Sequence, residues 1–164
     1  MRPTFRRAPV YTRGMTSSTA SSHAPAHTVN RLVPFAHVAS VDASMAFYHL
    51  LGFTPTRVLR DHQGAAFWAM LASGGAELML ARASGHIDAE QQAVLFYMYS
   101  MDVAVLRRQL NESGIPYRAS MNPHTNSVGP FPAVLGINFP NHMPAGELRL
   151  HDPDGYVVLV GQLG

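Results

Sequence analysis

Residues 31–39 (RLVPFAHVA) alternate with a period of two. Val33, Phe35 and His37 fall on one face and Leu32, Ala36 and Val38 on the other, the pattern of a half-buried strand. Ser40 is a natural N-cap for the helix that follows, and Gly52 a natural stop after Leu51. Residues 54–61 and 65–72 read as two more strands. The turn Ser73-Gly74-Gly75 leads into a fourth, residues 76–81. The order is βαβββ.

The order then recurs. Residues 93–100 (AVLFYMYS) form a strand, and Asp102 caps a helix that runs through Ser113 and stops at Gly114. Val103, Leu106 and Leu110 give this helix an i, i+3, i+7 apolar stripe. Residues 115–120 form the next strand. Residues 146–151 (GELRLH) and 156–162 (YVVLVGQ) flank the turn Asp152-Pro153-Asp154-Gly155, whose residue types suit a tight turn. Caps and stops repeat together: Ser40 to Asp102 is 62 residues, and so is Gly52 to Gly114. This is the mark of one supersecondary unit used twice. The expected fold is α+β, two βαβββ modules (about 30–82 and 93–163) forming a curled mixed sheet around a groove with the helices outside. The alternative, an unrelated α+β domain, does not explain the matched caps.

The chain's 164 residues suffice for one domain with a proper core, and a 47% apolar, 13% charged composition is that of a globular protein. There is no cysteine, which excludes disulfides and thiolate metal sites. No apolar run approaches the roughly 20 residues that span a bilayer, so no membrane segment is expected. All twelve basic residues are arginine, and Arg2, Arg6, Arg7 and Arg13 lie in the first fourteen positions. Eight arginines then face ten acids, a net of −2 for the remainder. The domain therefore lacks the basic patch of a nucleic-acid binder. Residues 1–28 hold no acid and are rich in Ser, Thr, Ala, Pro and Arg. They read as a disordered, dispensable extension before a domain at 29–164, with Met15 an alternative start and an organelle transit peptide the competing reading. His23 and His27 have a helical metal spacing but no helix to present them. A cytoplasmic location is expected.

Two stretches carry a family resemblance. The run from His37 to Phe53 (HVASVDASMAFYHLLGF), above all Ser44, Phe47-Tyr48 and Leu51-Gly52-Phe53, resembles the opening of vicinal oxygen chelate proteins. These include glyoxalase I, the bleomycin-resistance proteins and the extradiol dioxygenases. Gly146-Glu147-Leu148 followed by Asp152-Pro153-Asp154-Gly155-Tyr156 resembles their closing motif. The resemblance covers residues 30–163. It implies, in metal-dependent members, four His, Gln or Glu ligands on four strands. Here those positions fall on Val33, Leu95 and Leu159, with Met79 as the fourth, or Glu77 after a two-residue slip. Valine and leucine cannot coordinate a metal. The resemblance thus points to the metal-free, bleomycin-resistance-like members, which bind a drug and do no chemistry, and to no metal and no cofactor. Bleomycin is cationic and its binders acidic, so a domain charge near −2 argues against bleomycin itself.

Side chains of the same parity as the former ligand positions would face the groove: Phe35, His37, Tyr97 and Tyr99. Glu77 lies on one such face, and Leu148 and Leu150 packed under the helices would turn Glu147, Arg149 and His151 the other way. With Trp68, these make an aromatic and polar small-molecule groove. Each also fits a structural role: the tyrosines and Trp68 as core edge, Glu147 and Arg149 in a structural ion pair with neighbours, His37 as a hydrogen-bonded strand residue, His151 as a brace for the turn. As a set they favour a ligand groove. Residues 122–145 form a long loop with five prolines and with Phe131, Leu135, Ile137 and Phe139, suited to a lid or a dimer contact. The leading expectation is a metal-independent binder of an unidentified small molecule, acting as a homodimer. The competing one is a lyase, isomerase, dioxygenase or transferase using displaced ligands or His37 and Glu147 as acid–base groups. A third is a structural or regulatory module whose groove holds a partner. No catalytic residue is assigned.

Overall fold

In a computed structural model of the chain, the described residues are 31–113, the backbone of 118–119, and 135–164. Residues 33–164 form one compact unit. The extension at 1–28, the turn at Gly114 and the first part of the long loop, 122–134, lie outside the described residues.

The unit is βαβββ twice over. Strand β1 (Phe35–Val38), helix α1 (Val41–Leu50) and strands β2 (Thr54–Arg60), β3 (Ala66–Ser73) and β4 (Ala76–Arg82) make the first module. Strand β5 (Leu95–Ser100), helix α2 (Val103–Glu112) and strands β6 (Arg118–Ala119), β7 (Glu147–His151) and β8 (Val157–Gln162) make the second. Each is a four-stranded mixed sheet, in the orders β1-β4-β3-β2 and β5-β8-β7-β6. In both, the first strand pairs parallel with the last and the others are antiparallel. The fold is therefore α+β, built from a duplicated module.

The duplication is explicit in the caps. Ser40 accepts a hydrogen bond on its side chain from the Ala43 amide, and Asp102 does the same from the Val105 amide. Gly52, just past α1, has φ +88°, the left-handed conformation that ends a helix at little cost for glycine. Strand β1 begins at Phe35 and not at Arg31, because Pro34 has no amide hydrogen to continue the ladder; its carbonyl still accepts from Met79.

The helices cover one face of each sheet. Ala36 and Val38 of β1, Ala69 and Leu71 of β3, and Leu78 and Leu80 of β4 are buried with Phe47 and Tyr48 of α1. The same layer in the second module is Phe96, Leu148, Leu150, Val158 and Val160 under Val103 and Leu110. Leu106 is only partly buried. Among the described residues no helix is long and apolar enough to cross a membrane.

The opening and closing motifs meet in space. Tyr48, fully buried on α1, donates to Asp152 Oδ2 at 2.9 Å. Asp154 accepts from the Ala39 amide at 2.8 Å and from the Ser44 hydroxyl at 3.3 Å. Tyr156 donates to the His37 carbonyl at 3.1 Å. A buried tyrosine hydroxyl must find an acceptor, and the Asp152 carboxylate supplies it. Burial pushes the Asp152 carboxyl up to about 6, against hydrogen bonds from Tyr48 and from the Tyr156 and Asp154 amides. Burial, and then the Asp152 charge, raise the Tyr48 hydroxyl well above its ordinary range.

Candidate functional site

The uncovered faces of the two sheets follow from strand register. In the first sheet, Phe35 lies opposite Met79, His37 opposite Ala81, Trp68 opposite Ala81, and Glu77 opposite Ala72. Phe35, His37, Trp68 and Glu77 therefore share the face away from α1. In the second sheet, Tyr97 lies opposite Leu159 and Leu159 opposite Arg149; Tyr99 lies opposite Gly161 and Gly161 opposite Glu147. Tyr97, Tyr99, Glu147 and Arg149 share the face away from α2. The eight groove candidates thus divide four and four between the open faces.

Within one chain they do not line a common cavity. Tyr97 and Tyr99 border a cleft of 840 Å³ that also takes in Phe53, Asp102 and Leu106. His37 borders a polar hollow of 460 Å³ with His86, Asp88 and Tyr156. Trp68 lies in a 420 Å³ depression with Arg57, Phe67 and Arg82. The reason is topological: β1 and β5 are edge strands of two separate sheets. The rings do associate locally, Phe35 edge-on to His37 and Tyr97 tilted against Tyr99, each pair with centroids 5.3 Å apart.

The second sheet's open face has the more organised polar chemistry. Tyr97 donates from its hydroxyl to Glu147 Oε2 at 2.7 Å, and His142 Nε2 lies 3.2 Å from the same oxygen. Glu147 is 6% exposed although it faces away from the helix. What shields it is the described end of the long loop. Asn138 and Glu147 exchange both backbone hydrogen bonds at 2.8 Å, which closes residues 139–146 into a loop at the start of β7. Met143 sits over Gly161. Burial first, and then the hydrogen bond to Glu147, push the Tyr97 hydroxyl up to about 12. Arg149 is half-buried, and its Nε is shielded from solvent with no hydrogen-bond partner. Of the ion pairs with neighbours expected for Glu147 and Arg149, Glu147 has His142, charged when that ring is protonated, and it also accepts from Tyr97; Arg149 has none among the described residues. His142 and Met143 belong to a loop without periodicity, and no sequence signal marked them.

Gly161 makes this arrangement possible. A Cβ there would lie 2.7 Å from Met143 Cε and 3.2 Å from the Tyr97 hydroxyl oxygen. Gly161→Ala is expected to displace Met143 and draw Tyr97 off Glu147 at a modest stability loss of about 1 kcal/mol, since a methionine side chain can give way. Its signature would be a tyrosine whose ionisation moves back toward pH 10, read by ultraviolet titration; an unchanged titration curve would show that the contact survives.

The positions that resemblance assigns to metal ligands lie on the same open faces: Leu95 and Leu159 in the second sheet, Met79 and Glu77 in the first. Two hydrocarbon side chains and a thioether do not fit a hard or borderline divalent ion. Among the described residues, no three His, Cys, Asp or Glu side chains come together in a way that could hold one.

No protein-family profile and no curated protein sequence matches the chain. Solved structures do. A transposon-encoded bleomycin resistance determinant aligns with a TM-score of 0.58 at 23% identity, covering 82% of this chain and 98% of its own. A bleomycin-binding protein from the bleomycin producer Streptomyces verticillus, complexed with copper(II)-bleomycin, aligns at 0.54 and 19%, covering 84% and 100%. The fosfomycin resistance protein FosX from Mesorhizobium loti aligns at 0.55 and 9%, covering 84% and 94%. The chain has the fold of these proteins over nearly their full length.

Proposed function

We propose that this chain is a metal-independent small-molecule-binding protein, its ligand lying on the open face of the second sheet. One observation carries the reading. Tyr97 and Tyr99 form an exposed aromatic pair, and Tyr97 is held by Glu147 beside the half-buried Arg149, so flat apolar surface and convergent polar groups coincide. Shared fold with drug-binding proteins supports it. The non-coordinating side chains at Leu95, Leu159 and Met79 favour binding without a metal.

Exposed apolar side chains in both modules suggest a homodimer. Phe35, Leu59 and Phe67 are exposed in the first module, and Leu95, Tyr97 and Tyr99 in the second. Apolar surface of this kind normally marks a partner or ligand site. A second copy that set its first sheet against this chain's second would bring both halves of the candidate set around one ligand. Native mass spectrometry of the protein purified without chelator is expected to give a dimer mass, with no stoichiometric Ni, Zn, Fe or Mn. A monomer at micromolar concentration, or one tightly held metal per chain, would overturn the respective part.

The role of Tyr97 separates ligand surface from core. At 37% exposure its truncation should destabilise the fold by about 2 kcal/mol, mostly the hydrogen bond it gives the buried Glu147 carboxylate, less than the roughly 3–5 kcal/mol of an emptied large aromatic core site. Tyr97→Ala is expected to melt below wild type but above Leu110→Ala, while losing affinity for flat aromatic probes. Should Tyr97→Ala melt the lower of the two, Tyr97 is core and the binding face lies elsewhere.

An enzymatic reading keeps one specific support, the Tyr97–Glu147–His142 contact, which could relay a proton. His37 borders a different hollow, so the pairing of His37 with Glu147 would need the dimer.

A further inference from the structure

Among the described side chains, the open face of the second sheet bears one acid and one guanidinium, and they are in different states. Glu147 Oε2 already receives the Tyr97 hydroxyl and stands 3.2 Å from His142 Nε2. Arg149 makes no hydrogen bond and no ion pair among the described residues, and its Nε is closed off from water. The residue is only half-buried, so the open end of the guanidinium still meets solvent while Nε has no partner; a carboxylate is the group that matches its planar fork with two parallel N–H···O bonds. The neighbouring register positions supply flat and apolar surface: the buried Leu159 lies between Arg149 and Tyr97, and Tyr99 is 59% and Leu95 46% exposed on the strand of Tyr97.

We propose that this face binds a planar aromatic acid, its ring on Tyr97 and Tyr99 and its carboxylate on Arg149. The inference rests on the binding function proposed above and goes beyond it in assigning the charge of the ligand. A cationic ligand is the opposite choice, and it would have to displace Tyr97 or His142 from Glu147 while lying beside Arg149, whose charge the nearby Glu147 offsets only at a distance and without a hydrogen bond. Arg149 is the specificity-determining residue in this scheme, and Glu147 holds the tyrosine that forms the ring surface.

Three probes of one shape test it by calorimetry on the full chain: 2-naphthoate, 2-naphthamide and 2-naphthylmethylammonium. Naphthoate is expected to bind at least ~10-fold more tightly than the amide, the difference of one charge-assisted fork over a neutral contact, and the ammonium more weakly than either. Arg149→Gln should weaken naphthoate at least ~10-fold and the amide less, bringing the two to a similar level. Arg149→Lys, with charge but no fork, should fall between, and thermal melts of both variants show whether they fold. Tyr97→Ala should weaken naphthoate and amide alike. Equal binding of acid and amide, or tightest binding by the ammonium, overturns the charge assignment while leaving the binding function standing. Acid preference that survives Arg149→Gln also overturns it. If no probe binds and Tyr97→Ala changes nothing, both fail.

Discussion

Gly155→Ala is expected to destabilise the protein by roughly 2–4 kcal/mol, a fall in Tm on the order of 10 °C. Gly155 stands in the closing turn with φ +88°, where a side chain is strained whatever the space around it. Space is also lacking. A Cβ would lie 2.7 Å from both Cα and carbonyl carbon of Ala89 and closer still to the Ala89 oxygen. Those are backbone atoms of the connection between the modules and cannot rotate away as a side chain would. Gly85→Ala is the control: it has ordinary φ and nothing within 4 Å, so it should stay within about 0.5 kcal/mol of wild type. Equal melting of the two variants would mean that turn and connection are not in contact as described.

Asp152→Ala is expected to be at least as damaging, roughly 3–5 kcal/mol. Asp152 Oδ2 accepts from the buried Tyr48 hydroxyl at 2.9 Å, and Oδ1 from the Asp154 and Tyr156 amides at 3.0 and 2.9 Å. Alanine would strand all three donors. Asp152→Asn keeps an oxygen for the amides and an amide that can donate to the tyrosine oxygen, so it should cost less than about 1.5 kcal/mol. The pair also has a pH signature. Burial raises the folded-state carboxyl to about 6, above its ordinary value near 3.9. Between those values the folded chain binds more protons than the unfolded one, so stability falls as pH rises from about 4 to about 6 and the full penalty applies above 6. The magnitude is at most about 3 kcal/mol, two pKa units' worth. Asp61, held low by Arg82 and the Ala65 and Gln63 amides, has the opposite slope but acts below about 4. Denaturant titrations at pH 4.5 and 7 should show this loss in wild type and not in Asp152→Asn; parallel slopes in both would remove Asp152 as the source.

Much of this architecture is written in local pattern. Cap, apolar stripe and stop sit at a constant offset, and α1 and α2 begin and end 62 residues apart, at Val41 and Val103 and at Leu50 and Glu112. Alternation along β1, β5 and β7 assigns Ala36, Val38, Phe96, Leu148 and Leu150 to the helix side and Phe35, His37, Tyr97 and Arg149 to the other. These are consequences of the 2.0 and 3.6 residue periods, which any short window of sequence contains.

Contacts between distant segments carry no such period. That Tyr48 would use Asp152, 104 residues away, depends on where α1 and the closing turn are brought by their sheets. Glu147 reads as a groove acid from its strand parity, yet the loop holding His142 and Met143 folds back and buries it. Gly161 looks like an ordinary strand glycine until Met143 and the Tyr97 hydroxyl close over it. Most decisive is the division of the groove candidates between two open faces. Parity tells each residue which side of its own sheet it occupies, and only the packing of the two sheets determines which of those sides can meet, because sheet-to-sheet placement is set by burial summed over the whole core and not by any one strand.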